Sequence, residues 1–194
     1  SYQWTGSENS NVNEMVNAFN TAITGGADGI AVALVDEKAF NAGTDAALKA
    51  KIPVVSYNAD STSNARLSYI GQDLFVSGQA LGQKIAASMP NGGDAVGFIA
   101  TPGTANIQPR IDGAKAAIKA SGKNISFTSV ASGAELPQEN TTINSYVLAH
   151  KSSLKGIFAV DAGSTQTVGA IIAKYGLQSK VASGGFDLTP QTLS

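Results

Sequence analysis

The 194-residue sequence has no cysteine and a single histidine, His150. The first absence excludes a disulfide scaffold and any thiolate metal site, and leaves the redox compartment open. The second leaves a Ser-His-Asp triad with one possible base and no supporting spacing. A lone histidine at the end of a predicted helix reads as a surface or capping residue. Charged residues are only 14% of the chain and the formal net charge is −1. Lys and Arg are few and scattered, so no nucleic-acid surface is expected. No apolar run approaches the roughly 18 residues of a membrane span, and no signal peptide is visible. A G-x-x-x-x-G-K-[ST] phosphate loop and a G-x-G-x-x-G after a strand are also missing. No pair of carboxylates is marked by spacing as acid and base. The expectation is a protein without cofactor, metal or catalysis.

What is present is a globular composition, 43% hydrophobic, with alternating strands and helices. Strands are predicted at 2–5, 29–35, 53–57, 67–71, 95–101, 125–131, 156–160 and 180–186. Continuous apolar runs such as Gly29-Ile30-Ala31-Val32-Ala33-Leu34-Val35 suit parallel strands covered on both faces. The intervening helices are amphipathic: Val12, Met15, Val16, Phe19 and Ile23 form one stripe, with Ser10 or Asn11 as cap and Gly25-Gly26 as stop. Asp36, Asp73 and Ser164 are the caps expected for three further helices, and Pro109 falls in a first turn.

The repeat breaks once. Ile52-Pro53-Val54-Val55-Ser56-Tyr57 and Leu67-Ser68-Tyr69-Ile70-Gly71 are both strands, yet too few residues separate them for a helix. The break marks the passage from a first lobe, 1–72, to a second, 73–194. The fold class implied is α/β, two doubly wound parallel-sheet lobes. In such sheets ligands bind at the carboxyl ends of the strands. The residues that follow strands are rich in neutral hydrogen-bonding groups. Asn58, Asp60, Gln72, Asn106, Gln108, Asp161 and Asp187 are the candidate ligand-binding residues. Amides and carboxylates together suit a ligand dense in hydroxyls, because each offers acceptors and the amides also donate. Asp73 and Asn106 serve equally well as helix caps, and Asp60 as a turn residue.

Several motifs occur in a familiar order: Ile52-Pro53-Val54-Val55, Tyr69-Ile70-Gly71-Gln72-Asp73, Gly78-Gln79-Ala80-Leu81-Gly82, Arg110-Ile111-Asp112-Gly113 and Gly185-Phe186-Asp187. With them the chain resembles the sugar-binding proteins of bacterial ABC importers, the ribose- and galactose-binding type with the type I periplasmic binding fold. The resemblance implies Rossmann-like lobes closing on a neutral sugar or polyol, the first crossing at Gly71–Asp73, and a membrane permease as partner. It also implies a monomer, either periplasmic or extracellular and lipid-anchored. Where the family has an Asp-Arg pair after Ile-Pro-Val, this chain has Asn58-Ala59, and where it often has an arginine, this chain has Gln108. The missing arginines point to a neutral ligand and away from ribose-like specificity. A related furanosyl signalling ligand suits the same fold. Two alternatives stay open at this level: the effector-binding core of a lac-repressor-type regulator, and a Rossmann-like enzyme. The resemblance further implies that the family's first strand precedes Ser1. Residues 2–5 would then lie at a sheet edge, about 10 Å from residues 29–35 across an empty slot. The chain would be a fragment that folds poorly alone, with both ends cut and the second lobe nearly complete.

Overall fold

The computed structural model describes residues 1–8 and 11–187. They divide into two compact units, one of residues 1–72 with Thr104–Asn106, the other of the rest. The first unit runs α1 (Val12–Thr24), β1 (Ile30–Val32), α2 (Asn41–Lys49), β2 (Val54–Tyr57), β3 (Ser68–Ile70). The second runs α3 (Leu74–Ser88), β4 (Gly93–Ile99), α4 (Gln108–Ala120), β5 (Ile125–Ala131), α5 (Leu136–His150), β6 (Leu154–Ala159), α6 (Ala162–Lys174), β7 (Ala182–Gly184).

In the first unit the strands lie in the order β1-β2-β3, all parallel. Phe19, Val32, Leu34, Phe40, Ala47, Ile52 and Val54 are buried together beneath α1 and α2. Asn11 caps α1 by accepting from the N–H groups of Asn13 and Glu14; Ser10 lies outside the described residues. Asp36 does not cap α2. It accepts from the N–H groups of Lys38 and Ala39 in a turn ahead of the helix, and Phe40 takes the cap position with no side-chain bond. Its carboxyl is held below the usual carboxylate range chiefly by those two backbone bonds.

Residues 2–5 do not form the expected strand, and Tyr2 and Trp4 are 93% and 79% exposed. A strand satisfies its backbone groups only by pairing with a neighbour. Among the described residues nothing pairs with residues 2–5, and β1 is paired on one edge only. The apolar run 29–35 shortens to β1, and beyond it the Leu34 N–H donates to the Ala59 carbonyl at 3.2 Å.

The link from β2 to β3 is a parallel crossover without a helix. A polar loop makes it possible. Ser61 and Ser63 hydroxyls donate to the Glu37 carbonyl. The buried Asn64 amide donates to Asn41 Oδ1 and Thr44 Oγ1. The Leu67 N–H then returns to the Val54 carbonyl at 2.8 Å and starts β3.

The second unit has the strand order β5-β4-β6-β7, all parallel. Both faces of its sheet are covered, which explains the continuous apolar strands. Val96, Phe98, Ile157 and Ala159 pack on Ile143 and Val147 of α5 and Val168, Ile171 and Ile172 of α6. Ala95 and Phe158 pack with Ile85 of α3 and Ile118 of α4. The α3–α4 contact explains two of the glycine motifs. A Cβ at Gly78 or Gly82 would strike the carbonyl oxygen of Arg110 or Ala114, and one at Gly113 would strike that of Phe75. Only glycine lets these two helices approach so closely. Asp73 caps α3, accepting from the Val76 N–H at 2.9 Å.

Candidate functional site

In the second unit the chain starts at β4, crosses to β5 on one side, then returns past β4 to β6 on the other. The order therefore reverses between β4 and β6, and that is where an open α/β sheet offers a crevice. Asp161 occupies this point. Its Oδ2 accepts from the Ala100 N–H after β4, and its Oδ1 from the Ser164 N–H, both at 2.9 Å. Asp161 is thus the N-cap of α6, the role expected of Ser164, which is instead fully buried in the first turn. Each carboxylate oxygen keeps a further lone pair for a ligand hydroxyl.

Arg110 is 8% exposed and donates from Nη1 to the Val160 carbonyl at 2.8 Å. Its guanidinium lies 4.2 Å from the centre of the Phe186 ring, and Nη1 is 4.0 Å from Asp187 Oδ2. A fixed cation beside an aromatic face holds the chain that carries Asp187. Arg110 is therefore a framework residue. Asp187 itself is exposed and has a left-handed backbone, φ 70°. Gln108 spans its own loop: Oε1 accepts from the Gly103 N–H and Nε2 donates to Asp112 Oδ1, each at 2.9 Å.

In the first unit Asn58 follows β2 with φ 59° and is exposed. The Tyr69 hydroxyl donates towards the carbonyls of Asn58 at 3.2 Å and Gln72 at 3.0 Å. The ends of β2 and β3 are thereby pinned together, and the amide side chains of Asn58 and Gln72 lie on that edge. Among the described residues only Lys51, Asn58 and Asp187 are non-glycine with positive φ. Strain of this kind concentrates where a side chain is aimed at a task. Asn106 clusters with this unit, and its Oδ1 is buried with no hydrogen-bond partner. The neighbouring Ala105 N–H donates to the Val35 carbonyl at 3.0 Å.

Asp60 is engaged differently. Its carboxylate takes Arg66 Nε at 2.8 Å, Arg66 Nη2 at 2.6 Å and the buried Ser56 hydroxyl at 2.7 Å. Partial burial works to raise its pKa, but the bonds from Arg66 and Ser56 and the Arg66 charge outweigh it and hold the carboxyl below its ordinary value. Asp60 closes the helix-less crossover. From sequence Trp4 reads as a strand residue only. It stands 6.2 Å from Tyr57, ring centre to ring centre, and Tyr57 precedes Asn58. An aromatic pair beside an exposed amide is a feature that sequence reading did not single out. The signal available was the one tryptophan of the chain. The structure thus gathers Asn58 and Gln72 at one sheet edge, and Asp161, Gln108 and Asp187 at another, each within its own unit.

These units, with polar groups at the carboxyl ends of parallel strands, define an α/β protein of the Rossmann-like type. The chain belongs to the periplasmic binding protein domain family, which it matches over residues 1–194. It is 45% identical over 207 aligned residues to a xylose/arabinose-binding protein of Sulfolobus acidocaldarius, covering 99% of this chain and 50% of that protein. The chain therefore spans about half the length of this relative. An ABC transporter solute-binding protein from Burkholderia graminis, solved in complex with D-arabinose, is similar in structure. Its TM-score is 0.91 at 23% identity, over 100% of this chain and 68% of that one. A glucose-galactose binding protein from Geobacillus stearothermophilus gives a TM-score of 0.84 at 20% identity, over 94% of this chain and 65% of that one. At such identities the structural likeness shows the fold, that of type I periplasmic binding proteins.

Proposed function

We propose that this chain is part of the solute-binding protein of an ABC importer, and that its ligand is a neutral sugar, first of all a pentose. The observation that carries this is the 45% identity to a xylose/arabinose-binding protein over nearly the whole chain. The chemistry of the strand ends supports it. Asn58, Gln72, Asn106, Asp161 and Asp187 would bind sugar hydroxyls, with Asp60 and Gln108 holding the loops that present them. Trp4 and Tyr57 offer apolar ring faces to a sugar's C–H side. The protein would bind without catalysis, as a monomer, outside the cytoplasmic membrane, and pass its sugar to a membrane permease. A binding protein as relative weighs against the enzyme and regulator readings.

A thermal-shift screen of D-xylose, L-arabinose, hexoses, polyols and sugar phosphates tests this. A specific sugar at 100 times its Kd should stabilise the protein by roughly 2.7 kcal/mol. If a sugar phosphate binds best and its affinity collapses with salt, the neutral-ligand reading is wrong.

A further inference from the structure

A second carboxyl lies behind Asp161. Glu139, in the first turn of α5, is 3% exposed, and its Oε2 has no hydrogen-bond partner. It sits against the first turn of α6, where a Cβ on Gly163 would strike Oε2. Ser164 donates to Glu139. Ser132 and Ser164, both buried, are 2.7 Å apart through their hydroxyls. Either hydroxyl can be the donor in that pair. The acid therefore has one donor, one empty oxygen, and Asp161 as the charge that acts on it.

Asp161 is the charge that acts on Glu139 among the described groups. Glu135, at the N-cap of α5, is exposed and acidic. Arg110 is directed to the Val160 carbonyl and Asp187. Lys174 is bonded to Asn144 in the last turn of α6. His150 stacks on Tyr146 at the far end of α5. Burial, and then the charge of Asp161, push the Glu139 carboxyl up from 4.5 to about 7, against the hydrogen bond from Ser164.

We propose that Glu139 is a positioning residue that takes up a proton when a sugar covers Asp161, so that pH sets the affinity of the site. This rests on the assignment of Asp161 as a ligand group. A sugar over Asp161 removes water that screens it from Glu139, and like charges repel more strongly as the local dielectric falls. Only one of two such carboxylates stays ionised easily. Asp161 accepts from two backbone N–H groups, whereas Glu139 Oε2 is buried without a partner, so the proton goes to Glu139. Below about pH 7 Glu139 is already protonated and binding is insensitive to pH. Above it, binding must draw a proton from solvent, and affinity falls as pH rises until the complex itself titrates.

The test is isothermal titration of D-xylose and L-arabinose into the protein at about pH 6 and about pH 8.5, each in two buffers of different ionisation heat. The expected result is an affinity at least about fivefold weaker at the higher pH, with net proton uptake on binding. Glu139→Gln should show one affinity at both pH values and no proton uptake. Asp161→Asn, which keeps the shape, should bind more weakly and flatten the profile as well. If wild type and Glu139→Gln share one profile, or wild type takes up no proton, the proposal is overturned. If sugars bind and Asp161→Asn leaves affinity unchanged, Asp161 is not a ligand group and the proposal falls alone. If neither sugar binds at either pH, the functional assignment falls with it. Should Glu139→Gln fail to fold, the Asp161→Asn profile and wild-type proton uptake still decide.

Discussion

Asp60 was a candidate ligand residue by sequence and is a loop clamp by structure. Replacing it with alanine separates the two. Asp60→Ala removes a bidentate bond from Arg66 and the nearer of two acceptors for the Ser56 hydroxyl. The paired side chains are 22% and 23% exposed, so the ion pair falls between surface pairs, about 0–1 kcal/mol, and fully buried ones, about 3–5 kcal/mol on removal of one partner. Ser56 is fully buried, and its hydroxyl would keep only the long 3.4 Å bond to the Ser68 carbonyl, a loss of about 1 kcal/mol more. The sum expected is about 2–4 kcal/mol of stability, read by urea unfolding. A double-mutant cycle with Arg66→Ala should return a coupling of about 1–2 kcal/mol. The sign with pH is fixed by the lowered carboxyl. Its contribution is present above the unfolded value of 3.8 and is lost as pH falls through the lower folded value, so the gap between wild type and variant closes in acid. An Asp60→Ala protein that unfolds like wild type but no longer binds sugar would refute this reasoning and make Asp60 a ligand group.

Asp187→Ala should weaken sugar binding by about 1.5–3 kcal/mol, the range of bonds to a charged group, while the melting of the unliganded protein barely moves. Equal loss of stability without sugar would make Asp187 structural. Gly113→Ala places a Cβ on the Phe75 carbonyl and should cost about 1–3 kcal/mol in denaturant unfolding, as overpacking does; an unchanged midpoint would mean that α3 and α4 separate freely. Glu139, raised from 4.5 to about 7, binds its proton more tightly folded than unfolded. Wild-type stability should therefore fall as pH rises across that interval and level off above it. In Glu139→Gln the fall should be absent, and a drop of equal size in the variant would assign it to other groups.

The alternation of strand and helix was legible in the sequence because apolar runs and amphipathic stripes are local signals. Seven of the expected strands form within a few residues of their predicted bounds. Residues 2–5 failed because strand propensity says nothing about whether a partner strand is there. The post-strand rule located the candidate residues, but not what each carboxylate already holds. Asp161 and Asp60 look alike in sequence. One keeps lone pairs beyond two backbone bonds, and the other is taken by Arg66 and Ser56. Glu139 gave no signal at all, since it lies on a helix face and becomes special only through Asp161 and Ser164, which fold brings to it.

A neutral sugar as ligand is tested by calorimetric titration of the protein with D-xylose, L-arabinose and a pentose phosphate at low and high salt. The expected result is saturable binding of at least one of the neutral pentoses, with an affinity nearly unchanged between the two salts and the phosphate bound far more weakly. Preference for the phosphate, with affinity lost at high salt, would contradict it.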